Sequence, residues 1–235
     1  MFLAGATGAI GRRLVPLLVH AGHTVTGSTR SAEKAKELEQ AGVVPAVFDV
    51  FDATEASAAI AAAKPEIVIH QLTDLPQEQE RAAAFYPNNA RIRTEGTRNL
   101  VAATVAVAAR RFIVQSIAFA YAPGGEPHPE TDPLNLEDPI RAVTVKGAAD
   151  MERQVLSISG VEGVVLRYGL LYGPGTWSAA AGRKPALHVD AAAHAALVAL
   201  ARGAAGIYNI ADDDGVVSIA KARAELGFDP DFRLP

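Results

Sequence analysis

Three glycines near the start of the chain have the spacing of a phosphate-binding loop. Gly5, Gly8 and Gly11 lie in "AGATGAIGRR", between a short apolar run and a helical pattern. A tight turn needs one residue without a side chain, the close approach of a pyrophosphate needs a second, and close helix–strand packing needs a third. The pattern predicts dinucleotide binding; the alternative is a purely structural turn. The predicted contacts are Gly5, Thr7, Gly8, Ala9, Ile10, Gly11 and Arg12.

The end of the second predicted strand bears on the choice of cofactor. In the usual dinucleotide-binding fold an acidic residue here binds the ribose 2′-hydroxyl. This chain instead reads "TGSTRS", with no acid and with Arg30 where the strand ends. An arginine matches a 2′-phosphate with two N–H groups, whereas a carboxylate would repel it. The prediction is NADP in preference to NAD, with Arg12 assisting. The alternative is that Arg30 is a solvated residue at a helix start.

The chain has serine, tyrosine and lysine side chains suited to proton chemistry, but no tyrosine–lysine pair at helical spacing. A lysine four residues after a tyrosine lies on the same helix face and lowers the pKa of the phenol. None of the five tyrosines is followed by a lysine at that distance. The predicted catalytic residues are Ser116 at a strand end, Tyr121 as a replacement proton donor, and Lys146. The alternatives are an ordinary strand-end or cofactor hydrogen bond for Ser116 and a solvated or structural role for Lys146.

Lys146 belongs to a helix predicted for 138–156, which is also explained without chemistry. Asp138 is placed to cap the helix and Pro139 suits its first turn. Apolar residues recur at spacings of three and four, which predicts one buried stripe. Its members are Ile140, Val143, Gly147, Met151, Val155 and Ile158. Lys146 lies at the margin of this stripe, where a long side chain reaches water.

The elements that must position these residues alternate along the chain. Strands are predicted at 1–5, 24–29, 43–48, 66–70, 111–116, 163–168 and 206–211, with helical segments between most of them. Strands that are apolar on both faces and alternate with helices indicate a parallel sheet covered on both sides. The predicted fold class is α/β, a Rossmann-type doubly wound parallel sheet with a small C-terminal substrate lobe. Residues 1–165 are the predicted NAD(P)-binding domain, and residues 166–235 are a substrate lobe interleaved with the last strands.

The composition restricts the class of partner. The 235 residues are 49% hydrophobic, carry a net charge of −4 and include no cysteine. No basic stripe interleaved with aromatic residues is present, so nucleic acid is not an expected partner. The most apolar runs, 101–109 and 191–201, are too short to cross a membrane. A cytoplasmic protein without a metal site is expected. The segments after Gly175 and Asp212 look abrupt for a substrate lobe, so either the lobe is trimmed there or residues are absent from the sequence.

Several segments, taken in order, resemble the extended or atypical short-chain dehydrogenases of the NAD-dependent epimerase/dehydratase family. They include "GATGAIG" (5–11), "FDVFD" (48–52), "IVIHQLTD" (67–74), "EGTRNLVAA" (95–103), "FIVQSIAFAY" (112–121), "LRYGLLYGPG" (166–175) and "LHVDAAAHAA" (187–196). The resemblance implies an oxidoreductase or epimerase that acts on a carbonyl or sugar-type substrate. Counted back from Lys146, the tyrosine of the family's Tyr-x-x-x-Lys pair would fall on Ala142. Aligned instead on "MERQVL" (151–156), the pair would fall on Thr144 and Ala148. The family's helical asparagine would fall on Arg93.

The resemblance also implies further cofactor contacts at matching positions. They are Asp49 and Val50 at the adenine, His70, Gln71 and Leu72 at the ribose, Gln115 on strand five, and Tyr168, Gly169 and Leu170 beside the nicotinamide amide. Two functions follow from the sequence. One is an NADP-dependent enzyme acting on an unknown small molecule; the other is a catalytically silent NADP-binding sensor or scaffold. A homodimer is left open.

Overall fold

A computed structural model describes residues 1–76 and 79–234. The strands in this part are β1 (Phe2–Ala4), β2 (Thr26–Thr29), β3 (Val44–Val47), β4 (Ile67–His70), β5 (Arg111–Ile117), β6 (Glu162–Tyr168), β7 (Leu170–Tyr172), β8 (Ala186–His188) and β9 (Gly206–Ile210). The helices are α1 (Ala9–His20), α2 (Ala32–Gln40), α3 (Ala53–Ala63), α4 (Ala82–Arg91), α5 (Thr97–Ala106), α6 (Ala142–Leu156) and α7 (Val189–Val198).

Seven of the strands form one parallel sheet in the order β3–β2–β1–β4–β5–β6–β9. The strand order reverses between β1 and β4, and in open sheets of this kind ligands bind outside the carboxyl ends of the strands at that point. The predicted Rossmann-type α/β class is confirmed. β7 and β8 pair in parallel as a separate two-stranded sheet.

Both faces of the sheet are covered at its centre, because successive residues of β1 and β4 enter different cores. Leu3 and Ile69 join the core that contains α1 and α7 residues, whereas Phe2 and Val68 join the core on the opposite face with α3, α5 and α6. All four side chains are fully buried, with 0% of their surface exposed. This burial explains why the strands read as apolar runs rather than as alternating patterns.

A π-helical turn, Ile92–Gly96, joins α4 to α5 and continues the helical path without a break. Turns of this type widen a helix by one residue and occur often at functional sites. Here the turn faces α6 and lies against the carboxyl edge of the sheet, where Gly96 packs on Val50.

The stripe predicted on the helix at 138–156 is wrong at its N-terminal end. α6 begins at Ala142, and the carboxylate of Asp138 accepts hydrogen bonds from the backbone N–H groups of Ile140 and Arg141 in a preceding turn. Ile140 is 85% exposed and Val143 is 56% exposed. The buried face consists of Val145, Gly147, Ala148, Met151, Glu152 and Val155. Packing against β5 and β6 selects this face because it also brings the carboxylate of Glu152 to the arginine that neutralises it.

The segment from 166 to 234 contributes to more than one part of the molecule. It supplies β9 to the main sheet, α7 against α1, and the pair β7–β8. The division into domains at residue 165 stays a prediction. In the described part of the chain, no helix is both long and apolar enough to span a bilayer.

Candidate functional site

A cleft of about 1130 Å³ runs along the carboxyl edge of the sheet at the point where the strand order reverses. Most of the residues predicted for a site line it. These are Gly5, Thr7, Gly8, Ala9, Ile10, Arg12, Arg30, Asp49, Val50, Gln71, Leu72, Gln115, Ser116, Tyr168, Gly169 and Leu170. Gly11, His70, Tyr121 and Lys146 are not part of the lining.

The glycine loop has the shape that a pyrophosphate needs. Gly5 has φ +86°, and a Cβ there would lie 2.9 Å from the backbone of Gln71. A Cβ on Gly11 would lie 2.2 Å from the carbonyl oxygen of Gly5, so Gly11 supports the loop from behind rather than facing the cleft. Gly8 is the N-cap residue of α1 and provides no side-chain cap, which leaves the first N–H groups of the helix for a bound anion. These features fit a dinucleotide cofactor.

Positive side chains surround the end of the cleft beside β2. Arg12, Arg30 and Lys34 all line it. In the structure Arg30 Nη2 lies 2.9 Å from Asp74 Oδ1, and the Arg30 side chain is 60% exposed. Arg12 pairs with Glu37 at 3.3 Å. The predicted arginine is thus in place, but it shares this end of the cleft with a carboxylate from the loop after β4.

His70 lies behind the cleft wall and fixes the loop that forms it. Its Nδ1 accepts the backbone N–H of Leu72 at 3.2 Å, and its Nε2 lies 3.1 Å from Thr97 Oγ1. Burial, together with the nearby charge of Arg93, lowers the pKa of His70 to about 3. The ring is therefore neutral at physiological pH, with the proton on Nε2 because Nδ1 is an acceptor.

Gln71 and Tyr168 meet in the middle of the cleft. The amide Nε2 of Gln71 donates to the phenol oxygen of Tyr168 at 3.1 Å, and Gln71 Oε1 is buried without a hydrogen-bond partner. An unsatisfied buried amide costs free energy unless a ligand or water completes it. Gln71 Oε1 can therefore accept a hydrogen bond from an N–H or O–H group of a ligand in the cleft.

Ser116 lies on the floor of the cleft and is joined to a buried ion pair. Its Oγ donates to Glu152 Oε1 at 2.6 Å. Arg167 binds the same carboxylate through two N–H groups, at 2.9 and 2.7 Å. The carboxylate of Glu152, which is paired with Arg167, has acceptor oxygens only. The hydroxyl proton of Ser116 therefore points toward Glu152 and away from the cleft. Toward a ligand, Ser116 presents an acceptor.

Tyr121 lies at the far end of this network, outside the cleft. Its hydroxyl donates to Asn209 Oδ1 at 2.6 Å and accepts from Arg167 at 2.8 Å, while its ring stacks on His128 at 5.1 Å. Burial raises the pKa of Tyr121, although Arg167 opposes this shift.

The two tyrosines that do line the cleft are also poor proton donors. Burial raises the pKa of Tyr168 well above that of a free phenol. Burial and then the carboxylate of Asp212 raise the pKa of Tyr172, against a smaller opposing effect of Arg233. The partners of the two phenols in the described part of the chain are Gln71 for Tyr168, and Asp212 and Arg233 for Tyr172; none of them is a lysine.

Lys146 is a surface residue. Its ammonium group pairs with Glu137 at 3.1 Å, and its side chain is 54% exposed. The structure therefore does not bring Lys146 together with Ser116, and it places the residues aligned with the family's pair, Thr144 and Ala148, on α6 outside the cleft lining.

Several cleft residues were not predicted as contacts. Ile117 and Phe119 extend the lining beyond Ser116, and Trp177 closes the mouth, where its indole N–H donates to the carbonyl oxygen of Pro76 at 2.8 Å. Arg93 also lines the cleft. The signals available in the sequence were an arginine in place of the family's asparagine and a single tryptophan in a Gly/Pro-rich loop.

Comparisons with known proteins agree with this geometry. A family model described as NAD(P)H-binding matches residues 5–201. A protein from Streptomyces sp., named 3-diazoavenalumate denitrifying reductase, is 41% identical over 236 aligned residues, which span 91% of this chain and 76% of the relative. The chain therefore belongs to the NAD(P)H-binding family, and the predicted resemblance is confirmed.

Solved structures show the same fold at lower identity. UDP-glucose 4-epimerase from Thermotoga maritima, in complex with UDP-glucose, superposes with a TM-score of 0.81 at 17% identity over 99% of this chain and 94% of that chain. The enzyme of the same name from Thermus thermophilus, in complex with NAD, gives 0.79 at 20% identity over the same shares. The family and these neighbours support a nicotinamide cofactor.

Proposed function

We propose that this protein is an NADPH-dependent reductase that removes a diazo group from an aromatic compound as N₂. The observation that carries the proposal is the 41% identity to a denitrifying reductase of a diazo compound over nearly the whole chain. The cleft supports it, because burial raises the pKa of the Tyr168 and Tyr172 phenols that line it, which makes both poor acids for the reduction of a carbonyl.

The chemistry explains why the missing tyrosine–lysine pair is compatible with catalysis. Reduction of a ketone produces an alkoxide, which needs a proton from a nearby acid. When bound, NADPH would supply a hydride to the ring carbon, so that a C–H bond would replace the C–N bond of the diazonium group, N₂ would leave and NADP⁺ would remain. The hydride and the positive charge of the diazonium group balance, so the protein has no proton to donate.

Each part of the cleft holds a different part of the cofactor or the substrate. The glycine loop holds the pyrophosphate, Arg30 with Arg12 and Lys34 binds the 2′-phosphate, and Gln71 pairs with the nicotinamide amide. Ser116 accepts a hydrogen bond from the ligand above it, since its own proton is bound to Glu152. The proposed substrate lobe reaches the cleft through Leu170, Tyr172 and the loop that carries Trp177.

A turnover assay with a matched pair of substrates tests the proposal. The protein is mixed with NADPH and either 4-carboxybenzenediazonium or 4-acetylbenzoate, and NADPH consumption and N₂ release are measured beside samples without protein. We expect protein-dependent N₂ release equal to the NADPH consumed, and no reduction of the ketone. NADPH binding without turnover of the diazonium salt would instead support the silent binding protein, and reduction of the ketone would support a carbonyl reductase.

A further inference from the structure

Arg93 is a buried cation on the wall of the cleft. Its relative exposure is 4%, and it lies in the π-helical turn between α4 and α5. Arginine is rarely buried without a charged partner, because transfer of a charge from water costs several kcal/mol that only pairing offsets. The partners of Arg93 therefore indicate whether its charge is structural or serves a ligand.

The described residues satisfy only one edge of this guanidinium. Nη1 donates to the backbone carbonyl of Thr144 at 3.1 Å, whereas Nε is buried without a partner. No described residue accepts a hydrogen bond from Nη2 or forms an ion pair with Arg93. Glu152 is the acid whose charge acts on it, and that carboxylate is already bound by Arg167 and Ser116. Burial lowers the pKa of Arg93 to about 10, so the group remains charged at neutral pH.

The edge formed by Nε and Nη2 has the geometry that binds a carboxylate with two parallel hydrogen bonds. The anions of the cofactor already have partners elsewhere. The pyrophosphate faces the glycine loop and the start of α1, and the 2′-phosphate faces Arg12, Arg30 and Lys34 at the β2 end. Arg93 lies on another wall, next to α6 and the loop after β4, so the unassigned anion belongs to the substrate.

We infer that Arg93 binds the carboxylate of an aromatic carboxylic acid and thereby selects acids over neutral analogues in the substrate end of the cleft. The inference rests on the proposed reductase function for the identity of the substrate, but the site itself is defined by the unpaired guanidinium. Ile117, Phe119 and Trp177 line the cleft as well and provide apolar surface for an aromatic ring.

A binding experiment that needs no turnover tests the site. Protein saturated with NADPH is titrated calorimetrically with 4-hydroxycinnamate and with its methyl ester. We expect the wild type to bind the acid about tenfold or more tightly than the ester, the factor of one charge-assisted hydrogen-bonded pair. Arg93→Gln should abolish this preference, and Arg93→Lys, which keeps the charge without the planar fork, should retain part of it. Arg98→Gln, an exposed arginine on the next turn, is the matched control and should retain the preference in full.

The outcomes separate the site from the reaction. Equal affinity of the wild type for acid and ester, or an unchanged preference in Arg93→Gln, overturns the inference even if diazonium salts are reduced. A tenfold loss of NADPH affinity in Arg93→Gln also overturns it, because the anion would then be a phosphate of the cofactor. A preference for the acid that depends on Arg93, without turnover of any diazonium salt, keeps the site and rejects the proposed reaction. Thermal midpoints of both variants show that the fold is retained, since loss of an unpaired buried charge should not lower them.

Discussion

The hydroxyl proton of Ser116 determines which ligands this residue can bind. Because Glu152 holds that proton at 2.6 Å, Ser116 cannot donate to a carbonyl oxygen in the cleft without breaking a bond to a buried carboxylate. Its remaining role is to accept a hydrogen bond. The sequence predicted a catalytic serine at this strand end, but the direction of its hydrogen bond is set by a glutamate 36 residues away in sequence.

Substitution of Ser116 should affect catalytic activity, whereas substitution of Tyr121 should affect stability. Ser116→Ala should lower kcat/KM for the diazonium substrate about tenfold, because it removes an acceptor beside the ligand. Tyr121→Phe should leave kcat/KM within about twofold, because Tyr121 is outside the cleft, and should lower the free energy of unfolding by ~1–2 kcal/mol through the lost bonds to Asn209 and Arg167. Steady-state kinetics and urea unfolding measure both. A large kinetic effect of Tyr121→Phe would return the proton-donor role to this residue.

The ion pair between Arg30 and Asp74 should oppose the binding of NADPH. Arg30→Ala should raise the Kd of NADPH about tenfold and leave that of NADH unchanged, since one charge-assisted contact to the 2′-phosphate is lost. Asp74→Asn should have the opposite sign, because it removes a carboxylate that pairs with Arg30 and repels phosphate. Fluorescence titrations with both cofactors measure the ratio. Equal loss of NADH and NADPH affinity in Arg30→Ala would refute the assignment.

At the scale of the element, two glycines of the loop between β1 and α1 are required for different reasons: Gly11 for folding and Gly8 for binding of the cofactor. A Cβ on Gly11 would lie 2.2 Å from the carbonyl oxygen of Gly5 and 2.6 Å from that of Ala6, both of them backbone atoms. A Cβ on Gly8 would make only an ordinary contact at 3.4 Å, on the open side of the loop. A side chain at Gly11 would therefore disturb the folded protein even without a ligand, whereas a side chain at Gly8 would interfere only with a bound cofactor.

Alanine at these two positions should show the difference. Gly11→Ala should lower the free energy of unfolding by ~2 kcal/mol or more, because α1 has to move away from the backbone of Gly5 and Ala6 in the loop after β1. Gly8→Ala should leave unfolding within about 0.5 kcal/mol of the wild type and weaken NADPH binding at least tenfold, because its methyl group takes the space of the pyrophosphate. Chemical unfolding and cofactor titration on the same preparations distinguish the two. Unchanged cofactor affinity in Gly8→Ala would mean that the loop does not hold the pyrophosphate.

The elements themselves were largely predictable from the sequence, whereas the rotation of one helix was not. The strands β4, β5 and β6 are buried along nearly all of their length and leave a largely apolar signal. All seven strands of the sheet were predicted near their observed positions. On α6 the 3.6-residue period fits two neighbouring faces, one through Val143 and one through Val145. The second is buried because it includes Glu152, whose charge is neutralised by Arg167 of β6. A pairing between residues on different elements leaves no local periodic signal, so hydrophobicity alone misplaced Ile140 and Val143, whereas Gly147, Met151 and Val155 are buried as predicted.

At the scale of the whole molecule, buried charges and a buried neutral histidine connect stability to pH. His70 has a folded-state pKa of about 3, far below the ~6.5 of an unfolded chain. Between these values the unfolded chain binds a proton that the folded protein does not. The contribution of His70 to the free energy of unfolding is therefore complete above pH ~6.5 and is lost progressively as the pH falls towards 3.

Comparison of His70→Asn with the wild type should isolate this effect. Between pH 7 and pH 4.5 the free energy of unfolding of the wild type should fall by ~2–3 kcal/mol more than that of His70→Asn. His23→Asn, at an exposed position, serves as the control and should follow the wild type. Urea unfolding at the two pH values provides the comparison. Parallel pH profiles for wild type and His70→Asn would show that the buried ring already binds its proton in the folded state.

The cleft could be predicted in outline for a similar reason as the sheet. The loop after β1 and the ends of β4, β5 and β6 had to meet at one edge once the strand order was known. The residues that complete the site, Arg93 and Trp177, come from a helix and from a long loop whose approach depends on tertiary packing. Their chemistry was visible in the sequence, but their distance from the glycine loop was not.

The position of Trp177 at the mouth of the cleft, where it donates a hydrogen bond to Pro76, makes its fluorescence a reporter of the cleft. Trp177 is the single tryptophan of the chain, so all indole emission comes from the mouth of the cleft. A reduced dihydronicotinamide absorbs in the range where indole emits, and an oxidised one does not. The emission of Trp177 therefore distinguishes the two redox forms of the bound cofactor, and one fluorescence trace can follow both the occupancy of the cleft and each turnover within it.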